Sequence, residues 1–467
     1  MSCVLYPDSV GAVEALFRER ERPFRTLGLC GAGRSYGDAS INDGGALLDL
    51  SRLRSISEWD PDSGRVRVEP GVTIEQLWRK VLPDGFWPPV VPGTMFVTLG
   101  GAVSMNIHGK NCFSVGPIGD QVESLELVLP TGETVECGPD RRPELFRGVV
   151  GGFGMLGCIT GITLRLKKIH SGRLRVRAFP ARSLEHMVSL VEENSEADYL
   201  VGWCDGLAAD SVVGRGVLHR ADYPAKGEDP DAESSLQPGR QDLPPRILGV
   251  VPREWVWFFV RLGLHRPGLH VFNRLKVWSD RLGSTGPHLW PLAQFHFLLD
   301  YVPGWIRAYG SSGLIQIQPF LPAPVAVDIM VEILRLTKRR GFPPYLIVFK
   351  KHRADRFLLS HGLDGYSLAM DFPVRRRREL WSLAREIQRM TVEAGGRFYF
   401  AKDSTLAPAH VRGSYPEADL RAFLELKRKC DPESVLQTDL ARRVWPELCA
   451  RSDSPDGSPD PLDPSRA

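Results

Sequence analysis

Short apolar runs separated by glycine-rich turns dominate the first third of the chain. Such runs lie at residues 46–50 and 66–72, and three further runs, 124–129, 134–136 and 158–166, are predicted to be strands. The turn P-T-G-E separates the third of these runs from the fourth, as in a hairpin. A helix is predicted at 73–81, because Thr73 can cap its N-terminus and Glu75 lies in its first turn. The pattern predicts a compact α+β unit at the start of the chain.

The middle of the chain alternates strands with longer amphipathic helices. Helices are predicted at 181–193, 324–339 and 376–394, and strands at 199–203, 211–218, 314–318, 345–349 and 366–371. This order predicts an antiparallel sheet backed by helices. An acidic, proline-rich stretch at about 225–246 predicts a mobile loop. Residues 406–443 are predicted to be mainly helical, and residues 451–467 to form a disordered tail.

Composition excludes several classes of function. The chain has 467 residues, enough for two or three domains, and a net charge of only +3, which gives no nucleic-acid footprint. Its eight cysteines form no C-x-x-C pair and no Cys/His cluster of zinc spacing, which favours reduced thiols and no metal site. The first ten residues predict no secretory signal, and the most apolar short run, 255–260, is too short to span a bilayer. We therefore expect a cytoplasmic protein.

Three glycine-rich segments carry the first candidate chemistry. The first is G-A-G-R-S-Y-G-D at 31–38, and the others occupy residues 92–111 and 149–160. Glycines permit positive φ and close backbone approach, so that successive N–H groups can converge on a diphosphate. The first segment lacks the spacing of the Rossmann fingerprint, and each alone could be structural. Together they predict a cofactor-binding cradle.

Seven motifs distributed along the chain are typical of one family. They are G-R-S-Y-G-D (33–38), I-H-G-K-N (107–111), Q-I-Q (316–318), V-F-K (348–350), D-F-P (371–373), G-G-R-F-Y-F-A-K-D-S (395–404) and D-L-A-R-R (439–443). With them the chain resembles the vanillyl-alcohol oxidase/p-cresol methylhydroxylase family of FAD-binding oxidoreductases. Within that family it is most similar to the oxidase subunits of decaprenylphosphoryl-β-D-ribose 2′-epimerase.

The resemblance implies a two-part FAD-binding domain with an inserted antiparallel-sheet substrate domain. The N-terminal part would be residues 1–172, the substrate domain 173–396, and residues 397–450 would complete the FAD domain and the active site. Covalent members of the family carry a histidine where this chain has Arg34, and Cys112 does not fit the pattern of cysteinyl-flavin members. The resemblance therefore implies noncovalent FAD.

The candidate cofactor-binding residues come from the three segments and from one tyrosine that the family places against the flavin ring. They are Gly31, Ala32, Gly33, Arg34, Ser35, Tyr36, Pro92, Gly93, Thr94, Thr98, Gly100, Gly101, Asn106, Ile107, Gly154, Gly157, Ile159 and Tyr399. Tyr399 is also a candidate catalytic residue, although a core tyrosine would give the same pattern. Lys402 matches the family's essential lysine, and a surface lysine is the alternative. His108 could act in proton transfer or be structural.

Substrate contacts are predicted at Gln316, Gln318, Lys350, Lys110 and Ser367. The two glutamines are two positions apart on one strand, so both amides face the same side, either a sugar pocket or an exposed sheet face. The family places the lysine corresponding to Lys350 near a sugar phosphate. Ser367 and Ala369 depart from the family, which often has asparagine and cysteine there. Nitroaromatic inhibitors that trap that thiol are expected not to bond covalently here.

These features predict FAD-dependent oxidation of the 2′-hydroxyl of a polyprenyl-phosphoryl-β-D-ribose, with a separate short-chain NAD(P)H reductase completing an epimerisation. An aldonolactone or alditol oxidase acting on a soluble sugar is the alternative, and a flavin-binding scaffold without turnover is the third hypothesis. The aromatic and basic stretch at 246–281 could contact the inner face of the plasma membrane or be a buried helix with solvated arginines.

Overall fold

The computed structural model describes residues 3–19, 21–247, 249–265, 267–269, 271, 273 and 287–450. Within these residues the helices are Val10–Arg18, Ile74–Val81, Leu99–Ser104, Pro143–Val149, Leu184–Glu193, Ala232–Ser235, Val256–Gly263, Leu292–His296, Ala323–Arg339, Arg377–Glu393, Pro408–Ser414, Glu417–Cys430 and Asp439–Val444. No helix among them is both long and apolar enough to cross a membrane.

Two sheets are built from the first part of the chain. A parallel sheet has the order Cys3–Leu5, Ala46–Asp49, Leu27–Cys30. An antiparallel sheet has the order Ile56–Asp60, Arg65–Val68, Cys158–Arg165, Val122–Val128, Thr134–Cys137. A short pair joins Phe86–Trp87 to Lys167–Lys168. The first glycine segment begins where Leu27–Cys30 ends, so the parallel sheet fixes the position of that loop.

The middle of the chain forms one nine-stranded sheet in which every pairing is antiparallel. Its order is His288–Pro291, Arg173–Ala181, Gly216–Asp222, Tyr199–Cys204, Leu346–His352, Gly365–Pro373, Pro319–Pro322, Arg397–Phe398, and Leu314–Ile317 also pairs with Gly365–Pro373. A separate two-stranded pair is Arg246–Ile247 with Val251–Pro252. The sheet confirms the prediction of α+β architecture with a central antiparallel sheet.

The two faces of the nine-stranded sheet differ, because successive side chains on a strand point to opposite sides. On the strand Leu346–His352, Ile347 and Phe349 are fully buried in a core that includes Leu334 and Leu383 of two long helices. Leu346, Val348 and Lys350 alternate with them and line a large cavity on the other face. Helices therefore cover one face and leave the other for a ligand.

The C-terminal residues return to the first part of the chain. Leu27 N–H donates to the Val435 carbonyl at 2.8 Å, and Gln437 N–H donates to the Leu27 carbonyl at 3.1 Å. The Arg443 guanidinium binds both oxygens of Asp38, at 2.8 and 2.7 Å, and Asp403 Oδ2 at 2.8 Å. Arg443 therefore connects the first glycine segment to the turn that carries Lys402.

Most predicted elements are confirmed. The helix predicted at 73–81 is Ile74–Val81, and Thr73 forms the expected cap, with Gln76 completing a capping box. The strand predicted at 211–218 is wrong in its first half, where Asp210–Val212 forms a turn of 3₁₀-helix and the strand begins at Gly216. Gly214 lies at φ +75°, where an extended strand cannot continue.

The predicted mobile loop at about 225–246 is instead fastened to the sheet. Ser171 Oγ donates to Asp229 Oδ2 at 2.5 Å, and Gln241 Nε2 donates to the Gly172 carbonyl at 2.8 Å. Asp229, Ser235 and Gln241 are buried. Buried polar groups of this kind cost free energy unless they are paired, so their hydrogen bonds hold the segment in place. The predicted tail at 451–467 lies outside the described residues.

Candidate active site

A cavity of about 1350 Å³ lies between the glycine-rich segments and the open face of the nine-stranded sheet. Its volume exceeds the roughly 300–1000 Å³ of a typical small-molecule pocket, so it can hold a cofactor and a substrate together. The predicted site residues that line it are Gly31, Ala32, Gly33, Arg34, Ser35, Tyr36, Pro92, Gly93, Thr94, Thr98, Gly100, Gly101, Ile107, His108, Lys110, Gly154, Ile159, Gln316, Gln318, Lys350, Tyr399 and Lys402.

Three predicted residues do not line the cavity. Asn106 has φ +46°, its Nδ2 donates to Ser360 Oγ at 2.9 Å, and its Oδ1 accepts the Gly119 N–H at 3.0 Å. Gly157 packs against Leu129 and the Val128 carbonyl. Ser367 lies behind Gln318, whose Nε2 donates to its hydroxyl at 3.1 Å. These residues support neighbouring elements, and we correct their assignment accordingly.

The first glycine segment has the properties of a diphosphate cradle. Gly33 lies at φ +58° with open space where a Cβ would stand. The N–H groups of Ala32, Arg34 and Ser35 donate to no protein acceptor in the part of the chain that the structure describes. Unpaired backbone donors beside a cavity suit an anion. The residues present therefore fit the pyrophosphate of FAD.

Close packing around the first segment explains two of its glycines. A Cβ on Gly31 would lie 2.1 Å from Thr98 Oγ1, so the first two segments are in contact there. A Cβ on Gly37 would lie 1.8 Å from the carbonyl oxygen of Asp403, and Tyr36 N–H donates to the Ala401 carbonyl at 2.8 Å. The first segment thus lies directly against the residues on either side of Lys402.

The second glycine segment is held by an aspartate that the sequence analysis missed. Asp300 accepts the Thr94 hydroxyl at 2.7 Å and the Met95 N–H at 2.8 Å. Burial raises the pKa of Asp300 to about 6, and these two hydrogen bonds act in the opposite direction. Thr94 therefore lines the cavity, and its hydroxyl is hydrogen-bonded to Asp300.

Lys402 lies on a tight turn after the strand Arg397–Phe398. Its N–H donates to the Tyr399 carbonyl at 3.0 Å, and its Nζ lies 3.6 Å from the centre of the Tyr36 ring, a cation–π contact. Burial lowers the pKa of Lys402, whereas the neighbouring carboxylate of Asp371 raises it. Asp371 is buried at the cavity wall and accepts a hydrogen bond from Gln316 Nε2. The turn thus places a cation and a carboxylate together beside the cavity.

His108 lies at the centre of a buried cluster of polar and aromatic side chains. Its Nδ1 is 3.2 Å from Lys350 Nζ, and its Nε2 is 3.3 Å from Gln318 Nε2. The rings of Tyr399, His352 and His361 lie 5.1–5.2 Å from it, centre to centre. Burial and then the charge of Lys350 hold the pKa of His108 well below its usual range. The imidazole is therefore neutral at physiological pH and accepts from Lys350 when that ammonium donates.

Lys110 lies deeper in the cavity wall. Its Nζ donates to the carbonyls of Phe295 and His296 and lies 4.2 Å from the centre of the Phe295 ring. Burial holds the pKa of Lys110 well below its usual range. Together with Lys350 and Lys402 it places three lysines around one cavity, whose carboxylates include the buried Asp371 and the half-buried Asp300. Such a surface favours an anionic ligand.

One group of side chains has the composition of a metal site. Donor atoms of His108, Cys112 and His352 all lie within 4.8 Å of one another. Lys350 Nζ is 3.2 Å from the same His108 ring, and a second cation at that distance would be repelled. Burial also raises the pKa of the Cys112 thiol to about 11, so a thiolate ligand would be costly to form. We assign no metal to this group.

Asp371, Asp300, His352 and His361 are site residues that sequence reasoning missed. Asp371 was visible in the D-F-P motif, but nothing in the sequence placed its carboxylate beside Lys402. The two histidines lie on a strand and in a loop of the central sheet region, and only the fold brings them to His108. Spatial proximity between distant positions was the missing information.

Comparison with known proteins agrees with this geometry. A family model described as an FAD binding domain matches residues 1–138, which contain the first two glycine-rich segments. The fold and the site together define an FAD-dependent oxidoreductase acting on a CH–OH group. When bound, FAD supplies the acceptor for the hydride that an alcohol gives up on oxidation.

Relatives cover the chain to different extents. Decaprenylphosphoryl-beta-D-ribose oxidase of Mycolicibacterium smegmatis is 31% identical over 442 residues, 92% of this chain and 92% of that protein. Cytokinin dehydrogenase 8 of Oryza sativa subsp. indica is 30% identical over 62% of this chain and 54% of that protein. The putative D-arabinono-1,4-lactone oxidase of Neurospora crassa is 27% identical over 34% and 29%. The chain belongs to the family of FAD-dependent oxidoreductases that includes decaprenylphosphoryl-beta-D-ribose oxidase, and it has the FAD-binding fold of the p-cresol methylhydroxylase type.

Proposed function

We propose that this enzyme oxidises the 2′-hydroxyl of a polyprenyl-phosphoryl-β-D-ribose to the 2′-keto sugar. The observation that carries the proposal is the combination of several lysines with an apolar wall in one cavity. Lys110, Lys350 and Lys402 all line it. Val201, Leu314, Leu346, Val348 and Ala369 extend the wall along the sheet. A lipid-linked sugar phosphate has a matching anionic head and apolar chain, as does the decaprenylphosphoryl ribose for which the Mycolicibacterium smegmatis relative is named.

The chemistry of each cavity residue suggests its role in the reaction. Lys350 has a nitrogen beside His108 and supplies charge for the substrate phosphate. Lys110 lines the same cavity, where the carbonyls of Phe295 and His296 hold its Nζ. Gln316 and Gln318 present amides that can bind sugar hydroxyls. His108 and its hydrogen-bonded neighbour Lys350 are placed to relay the hydroxyl proton, and Lys402 stabilises the negative charge that develops during oxidation. Tyr399, buried against His361, fixes one wall of this site.

The organisation of the chain fits the same proposal. Residues 1–172 and 397–450 would form the FAD-binding domain, and residues 173–396 the inserted substrate domain. FAD would be held without a covalent bond, with Arg34 in the loop where covalent relatives carry a histidine. Arg34 lies over the Phe96 ring at 5.7 Å and so contributes to the cavity wall. A short-chain NAD(P)H reductase would then reduce the keto sugar and complete an epimerisation.

The substrate assignment is tested by product analysis. Incubation with polyprenyl-phosphoryl ribose and an electron acceptor should give a product two hydrogens lighter, which borodeuteride traps with one deuterium at C2′. Oxidation of soluble aldonolactones or alditols in parallel, with no product from the lipid-linked sugar, would instead favour the aldonolactone or alditol oxidase. That alternative has less support, because the lactone oxidase relative matches only 34% of this chain.

Lys350→Met is expected to raise KM by about 10- to 100-fold and to change kcat much less. The reason is that a charge-assisted hydrogen bond contributes about 1.5–3 kcal/mol, and the phosphate is bound equally before and during the reaction. Lys351→Met is the matched control, because Lys351 points to the other face and pairs with Glu192 at 2.6 Å. Steady-state kinetics on both variants measure the expected changes in KM and kcat. Equal KM values for the two variants would contradict a phosphate contact at Lys350.

The pH dependence of kcat/KM should follow the protonation state of Lys402. Burial lowers its pKa to about 7, the Asp371 carboxylate raises it, and Lys350 lowers it. If the charged form is required, kcat/KM falls as pH rises through about 7, because the proton is lost there. Lys402→Arg keeps a permanent charge and is expected to lose this alkaline decline while retaining partial activity. A kcat/KM that rises over the same range would show that Lys402 acts as a base.

A further inference from the structure

The helix Val256–Gly263 carries one charged residue, Arg261, among mainly apolar ones, and none of its residues is buried. Its exposed side chains include Phe259 at 54% and Leu262 at 58%, and Trp255 just before it is 64% exposed. A helix of this composition in a water-soluble protein is normally buried in a core, because apolar side chains exposed to water cost free energy. Exposed aromatic and aliphatic side chains grouped in this way suit the interfacial region of a bilayer.

This exposed surface is continuous with the mouth of the cavity. The helix packs against the short segment Trp305–Tyr309. Ile306 of that segment and nearby Leu298 are 52% and 54% exposed, and both also line the cavity. Apolar side chains therefore lie both on the outer surface beside the helix and in the wall of the cavity.

The charges around this surface are mainly positive. Arg261 and Arg307 are exposed and Arg253 is half-buried, whereas Glu254 is the acidic residue of the described helix and its preceding turn. Basic residues beside exposed aromatic and aliphatic side chains match the interface of a bilayer that contains anionic lipid.

We propose that Trp255, the helix Val256–Gly263, Leu298 and Ile306 form a membrane-docking surface that inserts into the interfacial region of an anionic lipid bilayer. The mouth of the cavity then opens directly toward the hydrocarbon, and a polyprenyl chain can enter without crossing water. This second step rests on the proposed function; the docking itself does not.

The test uses the full-length protein loaded with FAD and vesicles of two compositions, phosphatidylcholine alone and phosphatidylcholine mixed with phosphatidylglycerol. Flotation should show binding to the anionic vesicles, weaker binding to the neutral ones, and loss of binding as salt screens the arginines. Phe258→Asp combined with Phe259→Asp should weaken binding at least about tenfold, because both exposed rings lose their contact with the interface. Neither residue lines the cavity.

Val325→Asp is the matched control. Val325 is an exposed apolar residue near the N-terminus of the helix Ala323–Arg339, which packs on the other face of the sheet, and a carboxylate is tolerated there. It should bind vesicles like the wild type. Wild-type protein that does not float, or a double variant that floats equally well, would overturn the proposal. A dimer that forms in solution and is lost in the double variant would assign the surface to a second copy instead.

A water-soluble short-chain substrate separates the two proposals. The double variant should oxidise it at the wild-type rate and should lose activity only on the long-chain substrate presented in vesicles. If neither substrate is oxidised by the wild type, the proposed function fails, and the flotation result still decides whether the surface docks on lipid.

Discussion

Replacing Lys402 by methionine is expected to slow substrate oxidation by about 10²- to 10³-fold, the usual effect of removing one group that stabilises developing charge in a buried site. Lys402 is held by its turn over the Tyr36 ring, and the Asp371 carboxylate beside it favours the charged form. Methionine keeps much of the volume and removes the charge. The loss should appear in kcat as well as in kcat/KM, because the interaction is made during the reaction.

Two measurements separate this effect from loss of structure or cofactor. The variant should retain FAD at the wild-type stoichiometry by absorbance, because Lys402 is not part of the diphosphate cradle. Lys402→Arg should recover part of the rate, since its charge lies near the same place. A Lys402→Met enzyme with a normal rate would remove Lys402 from the mechanism, and the scaffold hypothesis would gain support.

Lys427→Met is expected to destabilise the fold by about 3–5 kcal/mol, because it leaves a buried carboxylate without its partner. Lys427 and Asp431 are almost fully buried, and Lys427 Nζ donates to Asp431 Oδ2 at 2.5 Å and to the Leu436 carbonyl at 2.8 Å. Asp431 also accepts the N–H groups of Val435 and Leu436, both at 2.8 Å. This network orients the chain just before residues 435–437, which hydrogen-bond to Leu27.

Chemical denaturation and FAD release measure the result. The Lys427→Met protein should unfold at lower denaturant and lose FAD at lower temperature, because residues 435–443 support the first glycine segment. Adding Asp431→Asn should recover part of the stability, since the amide oxygen can still accept an N–H and no buried charge remains. Lys429→Met on the exposed side of the same helix should be close to neutral. Equal stability of the Lys427 and Lys429 variants would contradict the argument.

Local signals in the sequence were enough for most helices and strands. Thr73, followed by an apolar pattern of helical spacing, predicted the helix that begins at Ile74, and the P-T-G-E turn separated two strands that do pair. Each of these signals acts over a few residues. The acidic and proline-rich composition at 225–246 failed because buried hydrogen bonds to residues 171–173 outweigh local composition.

The residues of the candidate site were also predictable only in part. The glycine motifs could be found as short patterns, and most of their predicted residues line one cavity. The resemblance added Lys402 and Lys350, and it favoured a pocket for Gln316 and Gln318, which periodicity alone left open between a pocket and an exposed sheet face. The places of Asp371 and His352 at the site could not be predicted, because their neighbours there come from strands and loops far away in sequence. The position of the exposed helix beside the cavity mouth was equally invisible.

Anaerobic mixing of the purified, FAD-loaded enzyme with polyprenyl-phosphoryl ribose tests the central claim most directly. Our account predicts that the visible absorbance band of the flavin bleaches within the mixing experiment, that the keto sugar forms in equal amount, and that Lys402→Met bleaches about 10²- to 10³-fold more slowly. If the band persists with this substrate but bleaches with a soluble aldonolactone or alditol, the proposed substrate is wrong.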